Sequence, residues 1–211
     1  MGGDQDEAFK AALGDEILTL GIETLSEDQT TLLAKHYSML CRWNRRLNLT
    51  RITGLREAAR MHYGECLLGT RFIGGAKTLL DIGSGAGFPA VPLAVARPDL
   101  QVTALEANQK KSLFLKEAKD ELNLINLKVM TARLEEIDCS GYELLTSRAL
   151  DRAEILMPFV VGGLSAQQRL MLYCGSDLIT KLEGKVKIET HRVPHSEARF
   201  IAILSGRWTR N

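Results

Sequence analysis

The sequence predicts an α/β protein built on a mostly parallel sheet, and three observations carry that prediction. The stretch Thr78-Leu79-Leu80-Asp81-Ile82-Gly83-Ser84-Gly85-Ala86-Gly87-Phe88-Pro89 reads as a short buried strand, a glycine turn and the start of a helix. A second strand, Gln101-Val102-Thr103-Ala104-Leu105, follows that helix and ends on an acid, Glu106. Strand and helix patterns then alternate until two consecutive strands, Val186 to Val193 and Ala198 to Leu204, close the chain as an antiparallel hairpin.

Taken in order, Phe9, Leu13, Ile17 and Leu20 repeat at helical spacing, and Gly21 is placed to end that helix. Ser26 reads as an N-cap, with Gln29 completing a capping box. Leu32, Leu33, Tyr37, Leu40 and Trp43 then line one face of a second helix. Asn48-Leu49-Thr50 breaks the pattern, and a further helix carrying His62 is expected from Leu55 to Leu68. Pro89 suits the first position of a helix over Ala90 to Ala96, which Arg97-Pro98-Asp99 ends. Asn108 opens an amphipathic helix containing Leu113, Phe114, Leu115 and Leu122. Leu127 to Met130 is the third strand, and Tyr142 to Thr146 the fourth, ending in Ser147-Arg148-Ala149. A helix from Ala153 to Gly162, a strand from Gln168 to Cys174 and a charged turn lead into the hairpin. The expected organisation is an N-terminal helical extension, residues 1–70, on a domain of residues 71–211, forming one compact unit.

Composition narrows the class. A chain of 211 residues, 45% hydrophobic, can bury a sizeable core. Its longest apolar stretch, Ile155 to Leu164, holds Pro158 and two glycines and is too short to span a bilayer. The acidic start, Met1-Gly2-Gly3-Asp4-Gln5-Asp6-Glu7, has no signal-peptide pattern. Cys41, Cys66, Cys139 and Cys174 form no C-x-x-C pair, and read as reduced thiols of a cytoplasmic protein without metal or disulfide framework.

The net charge of +1 hides an asymmetry. Residues 1–30 carry Asp4, Asp6, Glu7, Asp15, Glu16, Glu23, Glu27 and Asp28 against Lys10 alone, whereas residues 42–60 carry Arg42, Arg45, Arg46, Arg51, Arg56 and Arg60 against Glu57 alone. Arginine rather than lysine suits bidentate phosphate contacts. The competing reading of such a run is a solvated helix face.

The glycine spacing separates ligand classes. Counted from Gly83, a dinucleotide fingerprint needs its last glycine where Phe88 stands; counted from Gly85, that place is Ala90, which only the looser form tolerates. A phosphate loop needs a lysine after the glycines, and none follows. The form D-x-G-x-G-x-G is the adenosylmethionine-binding turn, where close backbone approach serves a methionine tail and a nucleoside. Glu106, about 20 residues on at a strand end, is placed to accept both ribose hydroxyls; its competing reading is a solvated helix start. Ala132-Arg133-Leu134-Glu135, after the third strand, is placed to hold the adenine.

The end of the fourth strand lies beside the methyl donor. Thr146-Ser147-Arg148-Ala149 contains neither the Asn/Asp-Pro-Pro-aromatic of many exocyclic-amine methyltransferases nor a cysteine nucleophile. Guanine N7 is an in-plane lone pair without a proton, so its methylation needs no general base. A site with no evident base fits a ring nitrogen best.

Asn48-Leu49-Thr50, His62-Tyr63, the segment from Asp81 to Pro89, Ala96-Arg97-Pro98 and Thr146-Ser147-Arg148-Ala149 together resemble the bacterial small-subunit ribosomal RNA guanine-N7 methyltransferase family, also called glucose-inhibited division protein B. The resemblance runs from the second helix to the last strand. It implies a Rossmann-like class I methyltransferase fold with a seven-stranded, mostly parallel sheet, S-adenosyl-L-methionine as donor, and N7 of one guanine in 16S rRNA or the small ribosomal subunit as acceptor. By position it implies that Gly83 and Phe88 line the donor pocket, that Leu134 and Glu135 flank the adenine, and that Arg148 is the catalytic residue, reaching the donor or the guanine. Together with the residue reading, the donor set is Asp81, Gly83, Ser84, Gly85, Gly87, Phe88, Glu106, Ala107, Leu134, Glu135 and Arg148. The RNA set is Arg42, Arg45, Arg46, Asn48, Arg51 and His62, on a monomer with no metal and no membrane partner. Three positions depart from the family pattern: Glu65-Cys66 replaces an Asp-Ser pair, Ala90 a glycine, and Tyr173-Cys174-Gly175 stands where the fifth strand usually ends in Lys-Gly. The alternatives are a methyltransferase of another RNA; a methyltransferase of a protein or a small molecule, against which the arginine run argues; and a non-catalytic RNA-binding relative, against which the intact set from Gly83 to Glu106 argues.

Overall fold

The computed structural model describes residues 2–148, 164–165, 167–194 and 196–206. Its centre is a seven-stranded sheet of β1 (Thr78–Ile82), β2 (Gln101–Leu105), β3 (Leu127–Met130), β4 (Leu144–Arg148), β5 (Arg169–Gly175), β6 (Lys187–Arg192) and β7 (Arg199–Ser205). The order across the sheet is β3-β2-β1-β4-β5-β7-β6. The pairs among β1 to β5 are parallel, and β7 inserts antiparallel between β5 and β6. The order reverses between β1, which pairs with β2, and β4, so ligand is expected at the carboxyl ends of these strands.

Alternation of side chains assigns the two faces of the sheet. Leu79, Val102, Ala104, Leu144, Met171 and Ile201 face the larger core, with the helices α1 (Gly2–Leu20), α2 (Glu27–Leu47), α6 (Ala90–Ala96) and α7 (Gln109–Glu121). Leu80, Ile82, Leu105, Leu145, Leu170 and Leu204 face the second core with Leu182 and Val186. Between α2 and β1 run α3 (Leu55–Ala58), a π-helical segment Ala59–Gly64, α4 (Glu65–Leu68) and α5 (Thr70–Ile73).

The N-terminal helices are welded to the sheet through aromatic rings. Phe9 stacks on Tyr37 at 4.5 Å and meets Tyr63 edge-on at 4.9 Å; Tyr63 in turn meets Phe88 at 5.0 Å. Phe9 is fully buried, and its truncation to alanine would cost about 3–5 kcal/mol. The larger core is therefore continuous from α1 to the sheet.

Local chemistry explains the helix ends. The Ser26 and Gln29 capping box forms at the start of α2, and Asn48 closes that helix in the left-handed region at φ 47°. Asn108 Oδ1 accepts the N–H groups of Lys110 and Lys111 to open α7.

The structure corrects four sequence expectations. Strand β4 covers Leu144–Arg148 rather than Tyr142 to Thr146, because Thr78 and Glu143 exchange bonds that pin the preceding turn: Thr78 Oγ1 donates to Gly141 O at 3.2 Å and accepts from Glu143 N at 3.0 Å. Ser147 and Arg148 thus lie in the ladder, opposite Leu172 and Tyr173. The charged turn after β5 is a helix, α8 (Ser176–Leu182), whose Ile179 and Leu182 bury one face. The helix from Leu55 to Leu68 is interrupted by the π-helical segment. Pro89 precedes α6 as its N-cap instead of occupying its first turn. The helix expected from Ala153 to Gly162 lies outside the described residues.

Candidate active site

The turn after β1 takes its shape from three glycines with positive φ: 73° at Gly83, 57° at Gly85 and 88° at Gly87. The N–H groups of Gly83 and Ser84 both donate to Leu105 O, at 2.9 and 3.0 Å, which clips the turn to the end of β2. Glu106 completes the clip. Its Oε2 accepts the Gly85 N–H and its Oε1 the Asn108 N–H, both at 2.8 Å. A carboxylate has about four lone-pair sites, so each oxygen keeps one for a ligand hydroxyl.

The glycines face different things. A Cβ on Gly83 would meet no atom within 4 Å, and one on Gly85 only Gly83 O at 3.9 Å, so backbone and open space adjoin there. A Cβ on Gly87 would sit 2.7 Å from Val91 Cγ2 and 3.3 Å from His36 Nε2, so Gly87 permits helix packing on the protein side. Phe88 also points inward: it stacks on His62 at 4.5 Å and is 7% exposed. His36 lies behind the turn, fully buried, with Nδ1 2.8 Å from Tyr63 Oη; burial holds its pKa down at about 3.

Asp81 is fully buried at the root of the turn. Its Oδ2 accepts the first N–H of α6, from Ala90, at 3.2 Å, while Oδ1 has no partner. Burial pushes its carboxyl up to about 7, against the bonds from Ser84 and Ala90 and the charge of Arg148; Glu106 adds to the rise. Ser84 is buried and donates its hydroxyl to Asp81 O. Ala107 and Glu135 are exposed beyond the ends of β2 and β3, whereas Leu134 is buried in the second core.

Arg148 ends β4 and turns toward the N-terminal helices. Nη2 donates to Met61 O at 2.8 Å and to His62 Nδ1 at 3.0 Å, and Nη1 lies 3.6 Å from Cys66 Sγ. Its guanidinium carbon is 5.7 Å from the Phe88 ring centroid. Two of the departures from the family pattern, at Glu65-Cys66 and Tyr173, meet on this side. Tyr173 Oη donates to Cys66 O at 2.9 Å, and Glu65 pairs with Arg199 Nη2 at 2.5 Å. Burial raises the Glu65 pKa, while Arg199, Arg148 and Arg60 oppose the rise.

Of the RNA set, Arg45, Arg46, Asn48 and Arg51 lie exposed around the end of α2 and the following loop. Arg42 is exposed too, but shares an ion pair with Glu121 at 3.4 Å. His62 does not join that surface; it is 7% exposed and lies between Phe88, Arg148 and Thr50. Sequence reasoning missed Arg199 and its pairing with Glu65, which the sequence showed only as a departure from the family pattern, since only the antiparallel insertion of β7, pairing Arg199 with Gly175, brings them together. No group of metal-ligating side chains occurs among the described residues.

The site can therefore cradle a nucleoside with a short polar tail against backbone, between Gly83, Gly85 and Glu106, beside a cationic strand end. The GidB family, described as rRNA small subunit methyltransferase G, matches residues 29–201. The chain is 39% identical over 140 residues to ribosomal RNA small subunit methyltransferase G of Neisseria meningitidis serogroup C, covering 66% of this chain and 67% of the relative. It is 41% identical over 133 residues to the protein of that name from Xanthomonas campestris pv. campestris, covering 63% of this chain and 62% of the relative. Among solved structures, the ribosomal protein L11 methylase of Lactobacillus delbrueckii subsp. bulgaricus superposes with a TM-score of 0.55 at 17% identity, over 71% of this chain and 80% of that one, a likeness of fold. The family match spans most of the chain, from the capping box of α2 through the glycine turn to β7, and the chain belongs to the rRNA small subunit methyltransferase G family.

Proposed function

We propose that this protein transfers a methyl group from S-adenosyl-L-methionine to N7 of a guanine in 16S rRNA. The observation that carries the reading is the open glycine turn clipped by Glu106 at the switch point of the sheet, in a chain of this family. The residues fit the donor. Gly83 and Gly85 leave room for a ligand against backbone, and Glu106 retains acceptor capacity for ribose hydroxyls. When bound, S-adenosyl-L-methionine supplies an electrophilic methyl group on a sulfonium.

The chain's own work is to position and desolvate. Glu106 fixes the turn and orients the ribose, Ala107, Leu134 and Glu135 border the adenine side, and Arg148 marks the acceptor side. Choice of N7 is supported by the state of the acid–base groups near Arg148. His62 Nδ1 is occupied by the guanidinium and Glu65 is paired with Arg199. Neither of these is free to take a proton, and N7 has none to give. The exposed arginines at the end of α2 supply phosphate contacts. The location that an rRNA substrate supports is the cytoplasm. No helix among the described residues is long and apolar enough to cross a membrane.

Methyl transfer from labelled donor to 30S subunits, 16S rRNA and tRNA, side by side, tests the reading. Borohydride reduction and aniline scission should cleave the labelled 16S rRNA at one guanine. Label confined to tRNA, or in 16S rRNA that resists scission, would overturn it.

A further inference from the structure

We propose that His62 is a positioning residue: it holds Arg148 at the end of β4 and ties it, through Thr50 and Asn44, to the surface that carries Arg45, Arg46 and Arg51. The inference rests on the proposed reaction for its kinetic consequences only.

The hydrogen bonds fix the state of the ring. A guanidinium has donors and no acceptor, so His62 Nδ1, 3.0 Å from Arg148 Nη2, must accept. The proton of the neutral ring then sits on Nε2, which donates to Thr50 Oγ1 at 2.8 Å. Thr50 Oγ1 also accepts the Ile52 N–H at 3.0 Å, so both its lone pairs are used. Burial and the charges of Arg148 and Arg199 disfavour a second proton on His62. The Phe88 ring, 18° from parallel, prevents the imidazole from turning over.

The series continues outward. Asn44 holds the Thr50 backbone at both ends: its Nδ2 donates to Thr50 O and its Oδ1 accepts from Thr50 N, each at 2.9 Å. Asn44 adjoins Arg45 and Arg46 on the last turn of α2, and Thr50 adjoins Arg51. A run of hydrogen bonds through the Thr50 residue therefore joins the arginine surface to Arg148, whose other side-chain hydrogen bonds among the described residues, to Met61 O and Cys66 Sγ, come from the same helical stretch as His62. A phosphate gripped at the loop and a guanine at the end of β4 would share one rigid support.

Two amides dissect the ring. His62→Asn places an acceptor near the Nδ1 position and keeps the hold on Arg148, whereas His62→Gln reaches toward Thr50 and releases it. With the full chain, single-turnover transfer at saturating 16S rRNA should fall roughly tenfold to a hundredfold in His62→Gln, the scale of a misplaced reacting geometry. His62→Asn should recover most of that loss. Both variants should keep the KM for rRNA, the salt slope and the donor affinity. Equal loss in the two amides would reduce His62 to packing against Phe88, and a raised KM with a flattened salt slope would make it an RNA contact; either overturns the proposal. A readout independent of activity is the nitrogen-15 spectrum of His62 in the wild-type protein. It should show a bare Nδ1 and a protonated Nε2 from pH 8 down to 5, and Arg148→Ala should shift the Nδ1 resonance. An Nδ1–H tautomer, or a ring that titrates in this range, would overturn it even if the protein methylates no rRNA; wild-type transfer failing with the expected spectrum would overturn only the proposed reaction.

Discussion

Glu106 reaches back from the end of β2 to accept the Gly85 N–H at 2.8 Å, so one carboxylate both shapes the glycine turn and faces the space beside it. Glu106→Ala removes that acceptor and the expected ribose contact together. Donor affinity should fall by roughly 1.5–3 kcal/mol, the range for hydrogen bonds to a charged group. Titration calorimetry with S-adenosyl-L-methionine measures this directly; unchanged affinity would remove Glu106 from the donor site.

Two glycines of the same turn should fail in different ways. Gly85→Val adds a side chain where only Gly83 O lies within 4 Å, so the protein should still unfold cooperatively, less stable by about 1–2 kcal/mol for the left-handed backbone, while losing the donor. Gly87→Ala meets Val91 at 2.7 Å and adds overpacking of about 1–3 kcal/mol to the same backbone cost. Thermal unfolding should show the larger drop for Gly87→Ala, and calorimetry the larger loss of binding for Gly85→Val. The reverse order would mean that the turn is oriented the other way.

How much of this was legible in the sequence depends on how local the cause was. The strand at Thr78–Ile82, the box at Ser26 and Gln29 and the Asn108 cap are set by neighbours within a few residues, and each appears as expected. The start of β4 is set by Thr78 bonding to Gly141 and Glu143, which are 63 and 65 residues away, so no local pattern announces it. Helix α8 is only seven residues long, and its apolar face of Leu178, Ile179 and Leu182 is too short a run to show a period. At the site, the glycine spacing reveals where a Cβ is forbidden without saying what forbids it, so Gly83 and Gly87 look alike in sequence although open space lies beside one and Val91 beside the other. His62 likewise sits in sequence near the arginines, yet helical geometry turns it inward to Arg148.

The buried carboxyl at the root of the turn should leave a pH signature. Unfolded aspartate ionises near 3.9, whereas burial raises Asp81 to about 7 in the fold. Between those values the folded state holds a proton that the unfolded state has released. Stability should therefore fall as pH rises from about 4 through 7, then level off. Asp81→Asn still offers an acceptor to the Ala90 N–H and cannot ionise. Its stability should lack this slope, and above pH 7 the ionisation penalty it avoids is on the order of 4 kcal/mol. Urea unfolding at pH 5 and pH 8 for both proteins tests this; parallel pH dependence would mean that Asp81 is ionised throughout.

The arginine surface makes the last prediction. Arg45 and Arg46 stand exposed on the final turn of α2, and Arg51 on the loop that leads to Thr50 and so to His62. Arg42 is tied to Glu121 in an exposed ion pair, which is a weak restraint that a phosphate can displace. Neutralising Arg45 and Arg46 together should weaken rRNA binding and reduce the salt slope by about 0.7–0.9 for each phosphate the protein no longer neutralises. Donor affinity should not change, because neither side chain is bonded to the glycine turn or Glu106. Arg148→Ala should show the opposite pattern, with methyl transfer at saturating rRNA abolished while the salt slope holds, since its guanidinium sits between Phe88 and His62 at the strand end and not on the exposed face. Filter binding of 16S rRNA over a salt series, paired with single-turnover transfer, separates the two variants. If the double mutant keeps the wild-type salt slope, residues 42–51 are a solvated face and the RNA docks elsewhere, with the Lys181, Lys185 and Lys187 side of the molecule the next to be tested.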